Sequence, residues 1–155
     1  MSYLSQFYGA SRATAAIVNA HSSGSPTGVT LSSAQYAAKA VLSGALTANT
    51  LATIVTLTGQ GFVPIIALQQ EDATSRTLRL QVLVDGVTAF DSTSAAAATQ
   101  YRALVAAGNV IQESSGKYQL ADGWPVRFFA SCVIKVASSI TETDKLSVLY
   151  RTQME

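Results

Sequence analysis

The sequence predicts an all-β fold, a jelly-roll-like antiparallel β-sandwich with an N-terminal arm, and three observations predict it. Apolar residues alternate with the period of a strand in the clearest runs, Leu78-Leu80-Val82-Val84 and Val126-Phe128-Ala130-Cys132-Ile134-Val136. Turn residues, among them Gly44, Asn49, Gly59-Gln60-Gly61 and Asp85-Gly86, punctuate the chain at short intervals, as in sandwiches and barrels. No sustained helical pattern runs through the body, which disfavours strands alternating with helices.

Taken in order, residues 1–33 read as an arm and flexible connector and residues 34–155 as the sandwich domain. Tyr3, Leu4, Phe7 and Tyr8 cluster near the start, and a short helix interrupted at Gly9 fits them. Two fates suit these aromatics equally, tucking into the core of their own domain or docking on a neighbouring subunit. Residues 21–33, HSSGSPTGVTLSS, have connector composition.

Three β-rich runs follow, residues 39–46, 50–58 and 62–69. In the second, both alternating faces are fairly apolar, as in a strand covered on both sides. Pro64 lacks an N–H and so places the third at an edge or a bulge. The segment Arg76 to Asp91, RTLRLQVLVDGVTAFD, predicts a hairpin, because Asp85-Gly86 tolerates the positive φ of a tight turn. Two readings compete over residues 95–107: a helix capped by Asp91 or Ser92 and stopped at Gly108, or a loop followed by a strand at 101–105. Residues 109–123 read as a surface loop, 126–136 as the longest clean strand, and 145–152 as the closing strand.

Composition narrows the functional classes. Ten Lys and Arg against nine Asp and Glu leave a net charge of +1 with no basic run, so no electrostatic footprint for nucleic acid or an anionic membrane is expected. Charged residues make up only 12% of the chain, about half the usual share, and a neutral Ser/Thr/Ala-rich surface takes their place. The start lacks the basic and apolar regions of a signal peptide, and no apolar run reaches the ~18 residues of a membrane span. A soluble product made in the cytoplasm is expected.

Chemistry is sparsely encoded. The one histidine, His21, lies in the connector, and the one cysteine, Cys132, lies in an apolar alternating run, so neither a nucleophilic triad nor a Cys/His zinc site is expected. The acidic residues Glu71, Asp72, Asp85, Asp91, Asp122, Glu142 and Asp144 all fall at turns or strand ends. There they could gather as oxygen ligands for calcium, but bonding to their own turns is the favoured reading. Tyr101, Tyr118 and Trp124 could stack on sugar rings, although Trp124 beside Pro125 is expected to pack over the mouth of the sandwich. No catalytic residue, metal or cofactor is expected.

The stretches TLATIVTLTGQG, EDATSRTLRLQVLVDGVTAFDSTS and GWPVRFFASCVIKVASSITETDKLSVLY resemble small virion proteins of tailed bacteriophages. The likeness spans about residues 45–152 and lies in the DG hairpin, the Pro-x-Arg-Phe strand start and the closing turn and strand. It implies a β-sandwich building block of a particle, forming homo-oligomers and attached to other virion proteins through an arm such as residues 1–33. Capsid decoration and tail-associated positions both fit. A carbohydrate-binding module or receptor-binding fibre domain using Tyr118 and Trp124 is the alternative.

Overall fold

In the computed structural model, residues 39–100, 102–114, 117–121 and 123–155 are described. The chain divides into two units, Met1–Ala37 and Ala38–Glu155, and every described residue belongs to the second. Among these residues all regular structure is β and every strand pairing is antiparallel. A five-stranded sheet combines β1 (Lys39–Leu42), β13 (Leu146–Met154), β4 (Gly61–Gln70), β10 (Val126–Phe128) and β7 (Ala103–Ala107). A four-stranded sheet runs β3 (Ala52–Thr58), β11 (Ser131–Ser138), β5 (Leu78–Val84), β6 (Val87–Thr93). Two small pairs complete the fold, β2 (Ala45–Leu46) with β12 (Glu142–Thr143), and β8 (Asn109–Ser114) with β9 (Lys117–Ala121).

The alternation read from the sequence becomes the core. Leu78, Leu80 and Val82 of β5, Cys132, Ile134 and Val136 of β11, and Val63, Ile66 and Leu68 of β4 join one buried apolar cluster with Phe128, Leu146, Val148 and Tyr150. Both larger sheets thus bury side chains against the same cluster, each large aliphatic contributing roughly 1.5–3 kcal/mol by leaving water. Cys132 is fully buried, and burial together with the nearby Asp85 charge pushes its thiol up to about 11. A neutral, inert thiol results.

The hairpin forms as the Asp-Gly pair predicts, with φ of 51° at Asp85 and 82° at Gly86. Positive φ at both central residues matches the strand twist of a tight hairpin. Pairing runs from Val84↔Val87 to Arg79↔Thr93, and a register shift beyond Val82 leaves Ala89 outside the ladder.

Several expectations change. Pro64 lies in β4, an interior strand, and the bulge reading holds rather than the edge one. On one side Arg151 pairs with Ile65 and Gln153 with Phe62, so Thr152 faces both Val63 and Pro64. On the other side β10 covers residues 61–63 and β7 covers 66–69, so the missing N–H falls between two partners. The run at 50–58 is not covered on both faces: within β3 only Val55 is buried, and Thr53, Thr56 and Thr58 are exposed. Its two-faced apolarity comes from a register shift at Ile54, which lets Ile54 and Val55 both reach the core.

Residues 109–123, read as a loop, contain the β8–β9 hairpin. Over residues 95–107 the loop-and-strand reading holds, with the strand two residues later than expected, at Ala103–Ala107. The single strand expected at 126–136 is two, β10 in one sheet and β11 in the other, because the chain bends at Phe129-Ala130 and changes sheets.

Candidate functional site

The bend between β10 and β11 is fixed by Asp85. Its carboxylate accepts hydrogen bonds from three consecutive backbone N–H groups, Phe129 at 3.0 Å, Ala130 at 2.7 Å and Ser131 at 2.9 Å. In return the Asp85 N–H donates to the Ser131 carbonyl at 2.8 Å, and the Ala130 carbonyl accepts from Gly59 at 2.9 Å. N–H groups that would lose their ladder partners at the bend are therefore satisfied. The bonds from Ser131, Ala130 and Phe129 hold the Asp85 carboxyl below its ordinary value. One aspartate thus shapes the hairpin turn and ties it to the corner.

The corner presents Phe129 to solvent, 60% exposed. Beside it, the Arg127 guanidinium lies 4.7 Å from the ring centroids of both Phe62 and Phe129, within cation–π range. Register accounts for part of this, since Arg127 and Phe62 are paired residues of β10 and β4. Glu155 fixes the far side of the guanidinium at 3.1 Å. Trp124, just before β10, is 95% exposed, so the expected packing over the sandwich mouth does not occur. The Gly123 N–H donates to the Pro64 carbonyl and anchors that approach to β4.

At the other end of β4 charge is buried. Arg76 is 2% exposed and its guanidinium meets Asp72 at 2.5 Å and Glu142 at 3.1 Å. The Arg76 Nε–H is not aimed at the Glu142 oxygen, so that contact is Coulombic rather than a directed hydrogen bond. Arg102 donates to the Arg76 carbonyl at 2.9 Å, and the fully buried Gln70 donates to the carbonyls of Asp72 and Thr74 at 2.7 and 2.6 Å. Burial pulls the Asp72 carboxyl upward, but the Thr74 N–H and the Arg76 guanidinium outweigh it and hold it below its ordinary value. Arg76 shares the parity of Leu78, Leu80 and Val82 and so falls on the buried face, where it is a core cation. Asp72, four residues earlier in sequence, supplies one of its charge partners.

Asp91, Glu71 and Asp144 are also engaged. Asp91 takes two bonds from Arg79, at 2.9 and 2.8 Å, and one from Gln81, which hold it at about 2. Glu71 accepts from Ser147 and Gln69. Asp144 accepts from the Gly44 N–H, and its own N–H donates back to the Gly44 carbonyl, both at 3.0 Å. The turn reading of the acids therefore needs correction in one respect: Asp85, Asp91 and Asp144 bind groups distant in sequence rather than their own turns. No group of three or more potential metal ligands gathers among the described residues.

A shallow hollow of about 200 Å³ lies against Asn49, Thr77, Arg79, Thr93, Ser138 and Ser139. Its lining is polar and small, and Arg79 there is already committed to Asp91. Of the residues expected to make contacts, Trp124 stands on the surface as described. Tyr118 falls in β9, but its side chain lies outside what is described, as do Tyr101 and the arm residues Tyr3, Leu4, Phe7 and Tyr8. No protein-family model and no curated protein matches the chain.

Proposed function

We propose that this chain is a non-enzymatic structural subunit of a tailed-phage virion, attached through residues 1–33 to neighbouring capsid or tail subunits as a decoration or tail-associated component. It is made in the bacterial cytoplasm, assembles as a homo-oligomer and works in the particle. Its body is a β-sandwich of jelly-roll type, a reading supported by the single apolar cluster to which both larger sheets contribute. The observation that carries the functional reading is the set of large apolar side chains left on the surface, Trp124 at 95%, Val87 at 70%, Phe129 at 60% and Leu42 at 54% exposure. Exposed groups of this kind gain free energy when a neighbour covers them. Arg76, Asp72, Asp85, Asp91 and Glu142 point the same way, since they tie the fold together instead of facing a cleft.

Deleting residues 2–22 tests the reading. Attachment to particles should be lost while the β-sheet circular dichroism and unfolding midpoint of the body are kept. Docking by the shortened chain would sink the arm assignment.

The exposure of Trp124 favours a second reading, a carbohydrate-binding or receptor-binding fibre domain, because a free indole face is suited to stacking on a sugar ring. Glycan-array binding that disappears in Trp124→Ala, with the fold intact, would select it over the structural role. An array that stays silent would remove it.

A further inference from the structure

The open strand edges differ in charge. Among the described residues, β1, β10 and β7 border the five-stranded sheet, and β3 and β6 border the four-stranded one. Lys39 opens β1, Arg127 is the middle residue of β10, Arg102 immediately precedes β7, and Asp91 lies within β6. Charges of this kind are how sheet edges resist pairing with another chain. The strand β3, ATIVTLT, has none. It also lacks Pro and Gly, and the nearest charged residues in sequence are Lys39 and Glu71.

One edge of β3 pairs with residues 131–136 of β11. Among the described residues no strand pairs with the other, and no backbone hydrogen bond outside the strand ladders involves residues 52–58. Thr53, Thr56 and Thr58 are exposed along the strand, and from Val55 to Thr58 the register with β11 is regular. A neutral, β-branched edge of this composition is a template for strand addition.

Charge also selects the occupant. Across a twofold axis each strand meets a copy of itself, so any charge near the axis faces its own like. Pairing through β10 would oppose two Arg127 residues, and pairing centred on β6 would bring two Asp91 residues close. Through β3 only Thr, Ile, Val, Leu and Ala meet. We propose that β3 is a self-association edge, and that two copies pair antiparallel through residues 52–58 to join their four-stranded sheets into one continuous sheet. Unspent main-chain donors and acceptors then bond across the axis, with Thr side chains alongside. The pairing rests on the homo-oligomer part of the assembly reading and is independent of the arm.

The test uses the full-length chain, with mass measured by light scattering across a concentration series. Wild type should have the mass of a dimer or an even multiple. Thr56→Lys and Thr56→Glu should each halve that mass, with circular dichroism and unfolding midpoint unchanged, and a one-to-one mixture of the two should restore it. A wild type that is monomeric at the highest concentration, a Thr56→Lys variant that keeps the wild-type mass, or a mixture that stays at the halved mass would overturn the pairing. As a check that needs no variant, amide hydrogen exchange at residues 52–58 of wild type should accelerate on dilution below the association range; exchange independent of concentration would also overturn it. A chain that attaches to particles yet never dimerises sinks the β3 pairing and leaves the arm reading standing. A dimer that fails to attach does the reverse.

Discussion

Arg76 and Arg127 lie at opposite ends of β4 and are used in opposite ways. Arg76 is sealed in the interior, against Asp72 and Glu142, with its carbonyl accepting from Arg102 and the turn before it held by Gln70. Arg127 is 42% exposed at its side chain and spreads its charge over two aromatic rings, with Glu155 on one side. A buried ion must be matched, because water no longer solvates it, so Arg76 is bound to the fold's stability. A solvated ion costs little when its partners are removed, so Arg127 contributes little to the fold's stability.

The largest expected effect follows from breaking the buried end. Arg76→Ala should destabilise the chain by about 3–5 kcal/mol, since it leaves the Glu142 carboxylate buried without its cation, as read from the urea midpoint. Replacing the group as a unit, Arg76→Met with Glu142→Leu, should recover most of that loss; no recovery would mean that packing rather than charge balance is at stake there.

Asp85→Asn comes next, because it removes a carboxylate shared by three backbone N–H groups at the corner. It should lower the unfolding midpoint and change the acid limb of stability. The Asp85 carboxyl has a folded pKa below its ordinary 3.8. Its contribution is therefore fully present above that value and is lost as pH falls through the folded one. Wild type should lose stability over that window, and Asp85→Asn should lose less there. Identical acid limbs in the two proteins would show that the corner is held by something else.

Arg127→Ala should have the smallest effect, within about 1 kcal/mol, and should leave the folded spectrum unchanged. If it instead destabilises as much as Arg76→Ala, the contrast between the two ends fails. If stability is kept but attachment to particles weakens, the exposed end takes part in that contact.

Much of the fold was legible because strands advertise themselves locally. The Leu78-Leu80-Val82 alternation, the Asp85-Gly86 turn and the burial of Cys132 all depend on residues close in sequence. The site was far less legible. Nothing in the pattern VRFFASCVIKV marks a bend, since its alternation continues through Phe129-Ala130. The bend depends on a carboxylate more than forty residues away, with Phe129 and Asp85 separated by 44 positions. The parity of Arg76 with Leu78 and Leu80 puts it on the core face, but its counter-ion Glu142 comes from a different hairpin and spacing does not reveal it.

The sequence by itself determined the β class, the hairpin with its positive-φ turn, the buried thiol and the near-neutral surface, because periodicity, turn chemistry and composition act within a few residues. Only the tertiary structure settles which strands border the sheets, where the chain changes sheet, how the buried arginine is charge-matched and that Trp124 faces solvent. Those outcomes depend on pairing and charge compensation between segments remote in sequence, which one-dimensional spacing does not carry.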